Sequence, residues 1–291
     1  MNKKILIIGA NGMLGGSLFR YFTDSTMYSV IGTVRSNEAK EFFEAKQYTN
    51  IVSGIDVSNK ISLRAIIMDL QPDYIFNCVG IIKQLDSSKN HILSININSL
   101  LPHELAAMAS EVKAKLIHFS TDCVFSGKKG GYSENDIPDA TDIYGRSKLL
   151  GEVDYNGHLT LRTSIIGHEY DSNHSLVDWF LSQDGTVNGF SHAIFSGLPT
   201  VYLAEVLDKF ILPKKNLSGL YHLSVEPIDK YTLLTIINNI YERKNTIVEN
   251  KEFTIDRSLN SSCLSGVIGF KPESWFDLIK KMHCEYVRYF K

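Results

Sequence analysis

The sequence predicts an α/β protein built on a doubly wound parallel sheet with a small C-terminal α/β lobe. Three observations predict it. Short apolar runs alternate with longer amphipathic stretches through the first half of the chain. Those runs are apolar at consecutive rather than alternate positions, as strands covered on both faces must be. The first run opens directly into a turn of regularly spaced glycines, "GANGMLG".

Taken in order, "KKILIIG" (3–9), "YSVIGTV" (28–34), "DYIFNCVG" (73–80), "AKLIHFST" (114–121) and "HLTLRTSI" (158–165) read as strands, with "IVSGIDV" ending a third strand between the second and fourth. Helices are expected over 12–23, 36–46, 59–70, 91–111 and 143–156, with Ser58 as N-cap of the third and Pro72 just past its end. Repeated strand–helix–strand units at this spacing favour right-handed crossovers and a parallel sheet. Beyond residue 165 the pattern loosens. A helix near 172–183, another over 197–212 opening at Pro199, a sheet strand "GLYHLSV" (219–225) and a helix at 229–243 follow. A short strand, a polar loop "DRSLNSS" (256–262) and a last helix near 273–290 complete the chain. The expected division is a cofactor domain of residues 1–165, rejoined by 195–225, and a substrate lobe made of 166–194 and 226–291.

Composition narrows the function classes. The 291 residues are 44% hydrophobic and 21% charged, ordinary for a globular chain. A net charge of −2 and a pI near 6.5 give no electrostatic footprint for nucleic acid or an anionic membrane. No stretch approaches the roughly 20 apolar residues of a membrane span. The N-terminal apolar run breaks at Gly9 without a cleavage site, so it reads as a strand rather than a signal peptide, and a cytoplasmic location is expected. Cys78, Cys123, Cys263 and Cys284 lie far apart with no CxxC pair, which argues for reduced thiols and against a structural metal site.

Gly9, Gly12 and Gly15 stand between a strand and a helix. Such a turn brings a helix N-terminus, with its free N–H groups and positive dipole end, close to a pyrophosphate. In strand–turn–helix context this is the mark of a Rossmann-type dinucleotide site, to which Asn11, Met13 and Leu14 would contribute. An acid at the end of the second strand would hold an adenosine ribose and repel a 2′-phosphate. This chain has "GTVRSN" there, and Arg35 with Ser36 can instead pair with the phosphate, which favours NADP(H) over NAD(H). Asp56 and Val57 would sit where the adenine docks.

"YGRSK" places Tyr144 and Lys148 one helical turn apart on one face. A phenol, with a reference pKa of about 10, is a poor acid at neutral pH. A neighbouring ammonium stabilises the phenolate and lowers that value, which suits proton donation to a carbonyl oxygen.

The chain resembles the extended short-chain dehydrogenase/reductases, and among them the dTDP-4-dehydrorhamnose reductase type. The resemblance rests on GANGMLG, NCVG (77–80), NINS (96–99), STDCVFSG (120–127), GGYSENDIPDATDIYGRSKLLGE (130–152), LRTSIIG (161–167) and SGLPTVYLA (196–204), in the family's order across most of the chain. It implies reduction of a 4-keto-6-deoxy sugar nucleotide for surface polysaccharide precursors. Thr121 would bind the substrate carbonyl, Tyr144 would donate the proton, and Lys148 would lower its pKa and hold the nicotinamide ribose. Cys78, Val79 and Gly80 would line the cofactor, and Asn96 would be the helix asparagine supporting the lysine. Sugar-nucleotide contacts are expected at Lys83, Val124, Phe125 and His168, with Phe195 stacking on a base and Arg257 pairing with a diphosphate. "VGIIKQ" and "IFSG" depart from the family pattern where the sugar or base docks, which leaves dTDP- and UDP-linked substrates both open. A homodimer is common among such enzymes. The alternatives are an epimerase or dehydratase, against which Asp122 is followed by Cys123 rather than Glu, and a non-catalytic NADP-binding regulatory subunit.

Overall fold

The computed structural model describes residues 2–82, 90–170 and 175–291. Its strands, in chain order, are β1 (Lys3–Ile8), β2 (Tyr28–Thr33), β3 (Ile51–Val52), β4 (Tyr74–Asn77), β5 (Lys115–Thr121), β6 (Leu159–Thr163), β7 (Ile165–Ile166), β8 (Thr186–Phe190), β9 (Ala193–Phe195), β10 (Leu198–Pro199), β11 (Gly219–His222), β12 (Ile228–Asp229), β13 (Thr246–Asn250) and β14 (Ile255–Asp256). The α-helices are α1 (Met13–Thr23), α2 (Lys60–Leu70), α3 (His91–Ser94), α4 (Leu101–Glu111), α5 (Ile143–Leu150), α6 (Leu176–Leu181), α7 (Thr200–Val206), α8 (Lys230–Ile240), α9 (Ser262–Ile268) and α10 (Trp275–Tyr289). No helix among the described residues is long and apolar enough to cross a membrane.

Seven strands form one sheet in the order β11-β6-β5-β4-β1-β2-β3, and the pairings β3-β2-β1-β4-β5 are parallel. The chain therefore runs outward from β1 through β2 and β3, then returns to the other side of β1 at β4. That reversal makes a topological switch point, where open α/β sheets bind ligands beyond the strand carboxyl ends. β1 and β4 are buried through to Ile8 and Asn77, which accounts for their unbroken apolar runs. One sheet face is covered by Leu63 and Ile67 of α2 and by Leu101, Leu105, Met108 and Ala109 of α4. On α1, Phe22 makes edge contacts with Phe76 of β4 at 5.6 Å and Tyr28 of β2 at 5.1 Å.

The chain divides into two compact units. The first comprises residues through Ser120, Thr141–Leu161 and Asn216–Leu220; the second comprises Thr121–Ala140, Arg162–Lys215 and Tyr221–Lys291. Relative to the division expected from the sequence, 121–140, 162–165, 195–215 and 221–225 fall in the second unit. Within it β9 lies between β12 and β14, and β8 pairs with β13. Phe180, Leu233, Ile237, Leu278, Ile279 and Met282 are fully or almost fully buried there.

Several local expectations are corrected. Residues 36–46 form no α-helix but two short 3₁₀ turns, Glu38–Phe42 and Ala45–Asn50. Phe43 leaves the helical path to pack edge-on against Phe19 at 5.1 Å, a tertiary contact that overrides local propensity. Asn59, not Ser58, caps α2, accepting from the N–H groups of Ile61 and Ser62, while Ser58 donates to Asp56. The third strand is only two residues long because Gly54, at φ +79°, turns the chain away. The helix bearing Tyr144 ends at Gly151 rather than 156. Beyond it Thr160 clasps the backbone of Val153 from both sides, accepting from its N–H at 2.9 Å and donating to its carbonyl at 2.8 Å.

Candidate functional site

The loops after β1 and β4 abut at the switch point. Gly9 sits at φ +85°, and a side chain there would come within 2.7 Å of Val79. A Cβ at Gly15 would stand 2.0 Å from the Gly9 carbonyl oxygen, so only glycine lets α1 pack this tightly against the turn. Gly12 is different. It is the exposed N-cap of α1, it makes no side-chain cap, and a Cβ there would meet nothing nearer than 3.6 Å. Packing demands glycine at 9 and 15, whereas at 12 the bare backbone leaves room in front of the helix N-terminus. Asn11 and Met13 flank it half-buried, and Leu14 is buried in the core. Cys78 donates its N–H to Ile8, and Val79 donates its own to the Asn77 side chain, which fixes the second loop beside the first.

Arg35 and Ser36 are exposed just beyond β2. Asp56 is half-buried; its carboxylate accepts from both the N–H and the hydroxyl of Ser58, which, with the smaller influence of Arg35, holds its pKa below the ordinary value. Val57 follows it, its carbonyl taking the Lys60 ammonium at 3.1 Å.

Tyr144 and Lys148 both lie within α5, whose N-cap Asp142 accepts from the Gly145 N–H at 2.8 Å. Tyr144 is half-buried and Lys148 is 6% exposed. The Lys148 ammonium donates to the Phe119 carbonyl at 2.6 Å, next to the end of β5. Burial pushes its pKa down to about 8, only partly offset by Glu152 and Cys78. The same burial pushes the Cys78 thiol well above its ordinary range, so that sulfur is a neutral filler rather than a nucleophile.

α5 is held from behind by an asparagine that the sequence pattern did not single out. Asn96 is exposed, so the supporting role expected of it does not fit. Asn98, two residues on and therefore on the opposite face, is 1% exposed. Its side chain accepts from the Ile81 N–H at 2.8 Å and donates to the Ile81 carbonyl and the Ser147 hydroxyl, both at 3.1 Å. It thereby joins the loop after β4 to the helix carrying Tyr144 and Lys148. Ile95–Leu100 forms a π-helical turn between α3 and α4, a distortion often found at functional sites. Against it Gly151 approaches so closely that a Cβ would lie 1.9 Å from the Asn98 carbonyl oxygen. The phase with Leu101 and Leu105 distinguishes Asn98 from Asn96 in "NINS".

In the second unit, Thr121 is 7% exposed; its hydroxyl accepts from the Cys123 N–H at 3.1 Å and donates to Asp122 at 3.2 Å. The expected substrate contacts fare unevenly. Val124 and Phe125 are fully buried, Phe125 stacking on Tyr132 at 4.2 Å, so neither offers a surface to a ligand. His168 is 2% exposed with both ring nitrogens engaged, one by Asp178 at 2.5 Å and the other by the Tyr241 hydroxyl at 2.7 Å. Phe195 is 6% exposed, with the Lys230 ammonium over one face at 4.3 Å and Trp275 beside it, which leaves no face for a base. Arg257 donates to the Phe125 carbonyl at 2.9 Å and approaches the Cys123 sulfur at 3.7 Å. Lys83 lies outside the described residues.

Residues 3–254 match the family described as the RmlD substrate binding domain. The dTDP-4-dehydrorhamnose reductase of Aggregatibacter actinomycetemcomitans is 26% identical to the chain, covering 96% of it and 98% of that protein. The methionine adenosyltransferase 2 subunit beta of Bos taurus is 31% identical over 52% of the chain and 42% of its own length. The crystal structure of a dTDP-4-dehydrorhamnose reductase from Bacillus anthracis in complex with NADP superimposes with a TM-score of 0.79 over 98% of this chain and 99% of that one. At 23% identity, that superposition establishes the fold.

Proposed function

We propose that this chain, which belongs to the RmlD substrate binding domain family, is an NADPH-dependent reductase of a 4-keto-6-deoxy sugar nucleotide. The observation that carries the reading is α5. It presents a half-buried phenol one turn from a buried ammonium whose pKa is about 8, braced by Asn98 and Ser147. The cytoplasmic location expected from the sequence belongs to the same proposal.

The first unit fits a dinucleotide. The open backbone at Gly12, at the uncapped N-terminus of an 11-residue helix, suits a pyrophosphate. Arg35 and Ser36 suit a 2′-phosphate, Asp56 and Val57 the adenosine end, and Cys78–Gly80 the nicotinamide side of the switch point. The bound nicotinamide would supply hydride to the sugar ketone. Tyr144 then delivers the proton to the ketone oxygen, so that the carbonyl becomes a secondary alcohol. The Lys148 cation lowers the cost of leaving a phenolate behind, and acid catalysis of this kind is worth ~10²- to 10⁴-fold. Thr121 steadies the oxygen as charge develops. To do so its hydroxyl must turn from Asp122 toward the substrate, exchanging one hydrogen bond worth about 1 kcal/mol for a charge-assisted one.

The similarity to methionine adenosyltransferase 2 subunit beta favours a second reading, an NADP-binding regulatory chain. Deuterium transfer separates the two. With 4-deuterated NADPH and dTDP- or UDP-linked 4-keto-6-deoxyhexoses, the reductase reading requires one deuterium at sugar C4 of the product. Tight NADPH binding with no label transferred to any such sugar supports the regulatory reading instead.

A further inference from the structure

An imidazole inside a sheet is costly unless its ring nitrogens are bonded. The first unit holds one that is bonded on one side only. His118, in β5, is 0% exposed. Its Nδ1 lies 3.1 Å from the side-chain nitrogen of Asn77, its register partner at the end of β4. The Asn77 oxygen is already engaged, accepting the Val79 N–H at 3.2 Å. Asn77 can therefore only donate to the ring, which makes Nδ1 the acceptor and puts the imidazole proton on Nε2. Burial, helped by the charges of Lys148 and His103, holds the His118 pKa well below the ordinary histidine value, so the ring is neutral. Nε2 has no hydrogen-bond partner among the described residues.

A leucine in place of His118 would fill the core and strand no donor on the Nε2 side. What only the histidine supplies is the Nδ1 acceptor. That acceptor orients the Asn77 amide, and the amide oxygen in turn holds the Val79 backbone. Val79 abuts the glycine turn after β1. A Cβ on Gly9 would lie 2.7 Å from the Val79 Cγ2 and 3.5 Å from the Val79 backbone nitrogen. A run of printed contacts thus leads from the sheet interior, through His118, Asn77 and Val79, to the turn at the switch point. We propose that His118 is a positioning residue for the cofactor: as its Nε2–H tautomer it fixes Asn77, which sets Val79 against the turn that receives the dinucleotide. This rests on the dinucleotide reading of that turn. The turn and the Val79 loop face parts that NADPH and NADH share, so His118 governs affinity for both alike.

The test combines the tautomer of His118, read from two-bond ¹H–¹⁵N correlations of the labelled protein, with cofactor affinity and melting temperature in two variants. At neutral pH the wild-type ring should be uncharged with its proton on Nε2. His118→Leu removes one unpaired donor, Nε2–H, and creates another on Asn77, so its melting temperature should stay within about 3 °C of wild type. Its affinity for NADPH and for NADH should each fall about 10-fold, the ratio between them unchanged. His118→Asn puts an oxygen where Nδ1 stands and should bind both cofactors within about 3-fold of wild type, although the smaller side chain leaves a cavity and melts lower. Stability and affinity then move in opposite order across the two variants, which a purely structural role would not produce. Affinity that follows melting temperature, a leucine variant that binds both cofactors as wild type does, or a proton on Nδ1 would overturn the proposal while leaving the dinucleotide reading intact. Wild-type protein that binds neither NADPH nor NADH would overturn that reading and this inference with it.

Discussion

Lys148 on α5 is buried and Lys230 at the start of α8 is half-buried, and desolvation pushes the pKa of both down to about 8. Their surroundings differ. Lys148 has a backbone carbonyl at 2.6 Å and a helix braced from behind by Asn98, Ser99 and Ser147. Lys230 has its ammonium 4.3 Å over the Phe195 ring. The first ammonium is held by the protein one helical turn from Tyr144, the phenol it is proposed to tune. The second rests against an aromatic ring, with no hydrogen bond or ion pair to it among the described residues.

Substitution at the two sites should separate these roles. Lys148→Met should lower kcat ~10²- to 10⁴-fold on every keto-sugar, because the phenol loses its tuner. Lys230→Met, measured beside it, should leave kcat within a few-fold of wild type. A Lys148 variant that loses binding but keeps kcat would break the contrast.

The support behind α5 gives the next largest effect. Asn98→Ala removes three hydrogen bonds and leaves the Ile81 backbone groups unpaired, which should cost about 2–3 kcal/mol in denaturant unfolding. Asn96→Ala, on the exposed face, should stay within about 0.5 kcal/mol.

That pair also shows where sequence reasoning ran out. The glycine turn, the strands on either side of β1, and the Tyr144–Lys148 spacing were legible because each is local: one turn, one run or one helical face carries the signal. "NINS" holds two asparagines with no local difference between them, and only the packing phase of Leu101 and Leu105 selects Asn98. On the substrate side the difficulty was of another kind. Val124, Phe125, His168 and Phe195 have residue types able to meet a ligand, yet tertiary packing buries all four.

Cofactor choice sharpens the comparison from the other unit. Arg35→Ala should weaken NADPH binding about 10-fold or more, the worth of a charge-assisted contact, and leave NADH binding unmoved in parallel titrations. Equal weakening of both would assign Arg35 to the fold rather than to the 2′-phosphate.

The smallest effect is on stability against pH. Each lysine binds its proton less tightly folded than unfolded, so between about 8 and the ordinary 10.5 the unfolded chain carries more protons. Stability contributed by these groups therefore rises as pH climbs through that window, and the full burial penalty is present below it. Lys230→Met should flatten the rise by on the order of 1 kcal/mol and make the protein more stable at neutral pH. Lys148→Met should gain less, because it also strands the Phe119 carbonyl.

The most direct measurement of the central claim is steady-state NADPH oxidation with dTDP- and UDP-linked 4-keto-6-deoxyhexoses, comparing wild type with Tyr144→Phe. Turnover on at least one sugar, reduced ~10²- to 10⁴-fold in the variant with NADPH affinity unchanged, is the predicted result. Equal turnover by both proteins would remove Tyr144 from the chemistry, and an absence of turnover by wild type on every sugar would contradict the reductase account itself.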